Sequence, residues 1–274
     1  ANENDNVRLI RNPDGRTTVG LNIGIEQTSS EFVVRVDAHV ELALDYIQTA
    51  MKLLQLRSAD LVGGIMSAVG RKPFQAAAAW AYNSRIGLGG GAHHVGGEDG
   101  VADTAYMGAF RRSALERVGG FDIEVVRGED WDIAKRIKAT GGLVWFSPTL
   151  VSRYWPRTKA SQLAFQFYAT GVWRGYLTRR EPRAAEVRYF MPPLLVLGVF
   201  VGLLFGIGGF FIGFLPAILY VLGVCAAAIV TRRTPFRVRL RIPFVLAIMH
   251  FSWGYGFWAG VLSGAKRTVD RSRV

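Results

Sequence analysis

The sequence is short of cysteine, short of acidic residues and, over one long stretch, empty of charge altogether. A single cysteine, Cys225, stands among 274 residues, which excludes an intrachain disulfide and any zinc site built on cysteines. Charged residues make up 20% of the chain, below the roughly 25% of ordinary soluble domains. Half of the residues are hydrophobic and the mean hydropathy is +0.20. That balance excludes a disordered tail and argues against a wholly water-soluble protein. The opening residues ANENDNVRLI are polar and do not read as a secretory signal peptide.

The acidic deficit leaves a net charge of +12, from 33 basic and 21 acidic residues. From Arg232 onward nine Lys and Arg stand against one acid, Asp270. This basicity flanks apolar segments, the pattern of a chain facing anionic lipid. A nucleic-acid binder spreads its charge over a folded face among aromatics, so nucleic acid is not expected as a partner.

Residues 189–231 form a stretch of 43 without a charge. A membrane helix needs about 20 residues, so the stretch reads as a transmembrane hairpin broken near Gly206-Ile207-Gly208-Gly209. Gly198, Gly202 and Gly206 recur every four residues, a face suited to close helix contact. A basic loop, 232–241, follows and is expected on the cytoplasmic side. A third apolar run, 242–265, carries Ser252, Gly256, Gly260 and Gly264 at the same spacing. A full third crossing would put the basic tail 266–274 on the opposite side from that loop, so crossing and re-entrant forms both stay open.

Residues 1–188 read as an α/β unit with a mostly parallel or mixed sheet. Residues 31–36 are a strand, followed by a helix with Leu42, Tyr46, Ile47, Ala50, Met51 and Leu54 on its apolar face. Strands are expected at 60–66, 104–110 and 143–146. Ser113 and Glu116 have capping-box spacing and should open a short helix, and 130–140 is a helix stopped by Gly141-Gly142. An amphipathic, interfacial helix is expected at 161–178.

Two elements carry chemistry. Asp37 and His39 follow an apolar strand, at the strand end where ligands of open α/β sheets sit. Taken as extended, they share a face and can reach one divalent cation; Asp37 serves equally well as a helix cap. Gly128-Glu129-Asp130-Trp131-Asp132 opens a helix whose dipole alone favours acids, yet three carboxylates behind a glycine also suit proton abstraction. His93 and His94 with Glu98 and Asp99 suggest a metal cluster, but the glycine-rich run 87–100 reads rather as a mobile acceptor loop. His250, in the third apolar run, reads as a helix–helix hydrogen-bond partner.

In order, Asn12-Pro13, Gly15-Arg16-Thr17, Leu21-Asn22, Val36-Asp37-Ala38-His39, Gly108-Ala109-Phe110-Arg111-Arg112, Gly119-Gly120-Phe121-Asp122 and Gly128-Glu129-Asp130 form a recognisable set. With Tyr154-Trp155-Pro156-Arg157, Gln166 and Trp173-Arg174, the chain resembles family 2 inverting glycosyltransferases of the GT-A fold. The likeness is strongest to the membrane-attached succinoglycan-biosynthesis branch.

The resemblance implies transfer of a sugar from a nucleotide-sugar donor, commonly UDP-linked, to a lipid-linked saccharide in exopolysaccharide or envelope-glycan synthesis. It implies that Asp37, in the slot of the family's DxD motif, binds Mg²⁺ or Mn²⁺ and the donor diphosphate, with His39 replacing the second Asp. Arg16 and Asn22 would join them on the donor. Asp130 would be the general base with Glu129 beside it. Arg157, Gln166, Trp173 and Arg174 would meet acceptor or phosphate, and arginines at 157 and 174 suit lipid headgroups equally. The family domain opens with a βαβ pair that the first 36 residues do not supply, so the nucleotide-binding part is expected to be N-terminally incomplete. A non-catalytic subunit of a polysaccharide-assembly complex is the alternative expectation.

Overall fold

The computed structural model describes residues 6–265. The basic tail 266–274 lies outside the described residues. Two compact units are present, one of residues 1–66 with 96–153 and one of residues 67–95 with 154–274. Neither unit is one continuous stretch, since 67–95 groups with the residues after 153.

The first unit opens with α1 (Thr17–Glu26), which the sequence reading missed, then β1 (Phe32–Val34), β2 (Val40–Leu42) and α2 (Tyr46–Leu56). Leu42 belongs to β2 rather than to the helix face expected for it, because Asp37-Ala38-His39-Val40 closes a turn, Val40 N–H donating to the Asp37 carbonyl at 3.0 Å. Next come β3 (Leu61–Ala68), α3 (Pro73–Tyr82), α4 (Arg85–Leu88), α5 (Ala92–Val95), β4 (Gly100–Val101) and β5 (Tyr106–Arg111). The run 87–100 therefore holds the end of α4, the whole of α5 and the first residue of β4 instead of one open loop. The series continues with α6 (Arg112–Arg117), α7 (Glu129–Ala139) and β6 (Val144–Tyr154), the last far longer than expected. Ser113 lies inside α6, whose N-cap is Arg111 without a side-chain cap bond, so the capping box does not form.

The sheet runs β1-β5-β3-β6-β2, with β4 beside β6. β5 is antiparallel to both β1 and β3. β3 and β6 ascend together, since Leu61 N–H meets the Leu143 carbonyl and Ser152 Oγ meets the Ile65 carbonyl. The sheet is mixed, as expected for this α/β fold. Strand alternation sends Leu61 and Phe110 to one face, with Leu115, Phe121, Ile133 and Ile137 of the α6–α7 side. Val62 and Ala109 go to the other, with Tyr46, Ala50 and Leu54 of α2. Each fully buried Leu, Ile or Phe contributes about 1.5–3 kcal/mol, which fixes the register of both layers.

The second unit contains α3, α4 and α5 of the segment 67–95 together with α8 (Ala160–Arg180), α9 (Met191–Ile207), α10 (Leu215–Val230), α11 (Phe236–Arg239) and α12 (Ile242–Ser263). Three helical stretches, Val187–Ile207, Phe211–Val230 and Phe236–Ser263, are long and apolar enough to cross a membrane. Gly202 and Gly206 meet Gly213 and Phe214 across the hairpin, while Gly198 meets nothing within 4 Å. α8 and α12 interlock through glycine: Gly171 and Gly175 lie on the Trp253 and Phe257 carbonyls, and Gly256 and Gly260 on those of Tyr168 and Val172. α8 buries Leu163, Gln166, Phe167, Val172, Trp173 and Leu177, so much of its surface is spent on protein contact.

Candidate active site

The first unit gathers its chemistry around one arginine. Arg35 follows β1 and is only 5% exposed. A buried guanidinium must be paired, and this one holds three carboxylates. Its Nε donates to Asp37 Oδ1 at 2.9 Å, its Nη2 to Glu129 Oε1 at 2.9 Å and its Nη1 to Asp130 Oδ1 at 2.7 Å. Three acids share one cation, so the cluster holds more carboxyl groups than Arg35 can neutralise. Burial works against charge on Arg35, but the three carboxylates outweigh it and raise its pKa. Burial pushes Asp130 up to about 7, with Arg35 pulling the other way and Glu129 and Asp37 adding to the rise.

Local sequence explains the placement. Residues 35 and 37 are two apart at a strand end, so both can turn to one side. The Arg35 N–H donates to the Gly108 carbonyl at 3.1 Å, tying the segment to β5. Beside it, Met107 is buried at φ +52°, a conformation that costs a non-glycine residue free energy. Tyr46 Oη donates to the Met107 carbonyl at 2.8 Å and helps hold it there. Burial, and next the Asp130 charge, raise the Tyr46 pKa. On the other side Gly128 takes φ +83° as the α7 N-cap, turning Glu129 and Asp130 into the first helical turn, where the dipole favours them.

The remaining expected donor residues brace this cluster. Asn22 donates to the Phe121 carbonyl and accepts from the Phe121 N–H, both at 2.8 Å. Both ends of its amide are therefore engaged with backbone. Arg16 pairs with Asp14 and donates through Nη1 to the Ile123 carbonyl at 2.9 Å. Both residues grip the loop that leads to Gly128. His39 sits in the 37–40 turn rather than in an extended segment, which removes the alternation argument that paired it with Asp37.

The acceptor-side residues all lie in the second unit. Gln166 is buried and donates to Tyr154 Oη at 3.1 Å, while its Oε1 is without a partner. Trp173 is buried with Nε1 unpartnered, and Arg174 stacks its guanidinium 4.1 Å over Tyr189. Arg157 is half-buried. His93 and His94 stack at 4.1 Å, and burial, then the nearby Arg188 charge, brings His93 down to about 4. The metal cluster suggested for His93, His94, Glu98 and Asp99 does not form: among the described residues no group of three or more His, Cys, Asp or Glu could hold an ion. His250 bonds both Tyr220 and the Ile86 carbonyl, the structural role expected of it.

Sequence reasoning passed over Arg35 and Tyr46. The signal for Arg35 was present, since an arginine closing an apolar strand two residues before an acid has to be neutralised. Tyr46 carried none beyond helix-face periodicity.

Residues 1–119 match the family profile described as Glycosyl transferase family 2. The chain is 27% identical over 277 residues to the succinoglycan biosynthesis protein ExoA of Rhizobium meliloti (strain 1021), covering 98% of this chain and 82% of that protein. It is 22% identical over 270 residues to the dolichyl N-acetyl-alpha-D-glucosaminyl phosphate 3-beta-D-2,3-diacetamido-2,3-dideoxy-beta-D-glucuronosyltransferase of Methanococcus voltae, with 95% and 80% covered. A solved structure, the mannosyltransferase PcManGT from Pyrobaculum calidifontis in complex with GDP-Man and Mn²⁺, aligns at TM-score 0.47 and 16% identity, over 89% of this chain and 66% of that one.

Proposed function

We propose, from the premise that this chain is a family 2 glycosyltransferase of the succinoglycan-biosynthesis branch, that it transfers a sugar with inversion from a nucleotide-sugar donor to a lipid-linked saccharide at a membrane. The observation that carries this reading is the Arg35-centred cluster, which brings a donor-side acid, Asp37, and two helix-start acids, Glu129 and Asp130, onto one guanidinium. The lipid-linked acceptor is supported by the Methanococcus relative, whose name specifies a dolichyl phosphate substrate, and by three helices long enough to cross a bilayer.

In this reading the acceptor hydroxyl oxygen attacks the donor's anomeric carbon from the face opposite the diphosphate. The bond from that carbon to the diphosphate oxygen breaks, and its electron pair leaves with the nucleotide. Asp130 takes the hydroxyl proton, a task suited to a carboxylate whose pKa is about 7. Arg35 keeps Asp130 and Glu129 in place before substrate arrives. The donor set fits Mg²⁺ or Mn²⁺, since one carboxylate, Asp37, plus substrate phosphates is the usual way such hard ions are held, and no wider cage of acids stands among the described residues. When bound, the ion would neutralise charge on the leaving diphosphate.

The test is label transfer from nucleotide sugar into extractable lipid by membranes containing the full-length protein. Asp130→Asn is expected to abolish it, and retained transfer overturns the base assignment.

A further inference from the structure

A cavity of about 490 Å³ lies within the second unit, among α4, the start of α9, α10 and α12. Leu195, Leu219 and Val224 supply apolar wall, and Arg85 and Arg188 are the cationic residues of its lining. Its volume falls in the range of about 300–1,000 Å³ typical of small-ligand sites. The α4 wall is pinned in place: His250 Nε2 meets the Ile86 carbonyl at 2.8 Å, and its Nδ1 meets Tyr220 Oη at 3.1 Å. Those two polar side chains are thereby occupied with each other.

What remains is cationic. Arg85 is exposed and makes no ion pair among the described residues. Arg188 pairs with Glu186 at 2.8 Å and lies 5.5 Å over the Tyr189 ring. Two guanidinium groups against one nearby carboxylate make a net-positive lining. That lining complements an oxyanion, and phosphate above all. Apolar wall on helices fit to cross a bilayer complements hydrocarbon.

We propose that this cavity holds the carrier end of the acceptor, a polyprenyl phosphate, with the first part of its chain against Leu195, Leu219 and Val224 and its phosphate on Arg85 and Arg188. The inference rests on the lipid-linked acceptor proposed above. It adds where that lipid docks and which groups recognise it.

Gly223 offers a direct probe, because it lines the cavity and a Cβ there would meet nothing within 4 Å. Gly223→Phe fills the space from a helical position that accepts a side chain. The full-length protein in phosphatidylcholine nanodiscs is titrated with radiolabelled undecaprenyl phosphate, in the absence of donor. Saturable binding is expected, weakened at least tenfold by Gly223→Phe and by Arg85→Ala. Undecaprenol and phosphatidylglycerol should compete at least tenfold less well than unlabelled undecaprenyl phosphate. Unchanged binding by either variant overturns the proposal, as does equal competition by phosphatidylglycerol (a general anionic-lipid site) or by undecaprenol. Should Gly223→Phe fail to fold, Arg85→Ala decides alone, since Arg85 is exposed and makes no ion pair among the described residues. Label transfer by the wild-type chain is scored separately. Binding without transfer faults the transferase reading, and transfer without cavity-dependent binding faults this one.

Discussion

Arg35 Nη1 lies 2.7 Å from Asp130 Oδ1, joining residues 95 apart in sequence. The contact decides how the acids behave, because the same guanidinium also holds Asp37 and Glu129. Removing a buried partner strands the others, at a cost of about 3–5 kcal/mol. Arg35→Met is therefore expected to lower the denaturation midpoint sharply. Arg35→Lys keeps the charge but offers a point donor instead of a planar fork. It should fold, bind donor with near-normal KM and lose kcat. Thermal unfolding and steady-state kinetics of both variants check this, and an Arg35→Lys enzyme with normal kcat would remove Arg35 from base positioning.

The raised pKa of Asp130 has two consequences of opposite sense. Transfer needs the ionised base, so kcat should climb with pH through a midpoint near 7. Stability runs the other way. A carboxyl whose pKa rises from 3.8 unfolded to about 7 folded binds its proton more tightly when folded. Its contribution is complete below about pH 4 and is lost as pH rises through 7. Asp130→Asn should abolish the rate, by about 10²–10⁴-fold, and also flatten the fall in unfolding midpoint over that window. Chemical denaturation at a series of pH values measures the second effect without any substrate.

The share of this arrangement legible in the sequence follows from which interactions are local. The first turn of α7, its stop at Gly141 and the apolar hairpin are written in short-range patterns, and they were read nearly in place. The order of motifs pointed to Asp37 and Asp130 together. What escaped was non-local. α1 has a weak pattern and depends on Asn22 reaching Phe121 across 99 residues. β2 exists because a turn at 37–40 redirects the chain, and its one turn-favouring residue, Asp37, serves a ligand or a helix cap as readily. The capping box failed because Arg112 bonds back to the Ser30 and Ile25 carbonyls and starts α6 two residues after Phe110, ahead of Ser113.

Asn22 separates a bracing role from a donor-binding one. Its amide makes two backbone hydrogen bonds to Phe121, and its Oδ1 fills the place a Cβ on Gly120 would need. Two such bonds are worth about 1–3 kcal/mol together. Asn22→Ala should therefore destabilise the first unit by roughly that amount and reduce kcat by loosening the approach to Glu129 and Asp130. Donor KM should stay within about twofold. A large rise in donor KM with unchanged unfolding would instead place Asn22 on the nucleotide sugar.

The α8–α12 pair makes a prediction about the apolar helices. Gly171, Gly175, Gly256 and Gly260 each lie where an added Cβ would strike a backbone carbonyl of the facing helix. A carbonyl cannot swing aside as a side-chain tip can, so the helices must separate. Packing contact is the main attraction between helices in lipid, and separation forfeits it along the whole seam. Gly256→Leu or Gly260→Leu should lower the thermal midpoint of the detergent-solubilised protein by many degrees. Gly198→Leu, on the helix hairpin, should leave it within a degree or two, since nothing lies within 4 Å of a Cβ there. Both substitutions remove a helical glycine and add the same apolar side chain, so propensity and hydrophobicity cancel in the comparison. Equal midpoints for the two classes would mean the seam is not a close backbone contact.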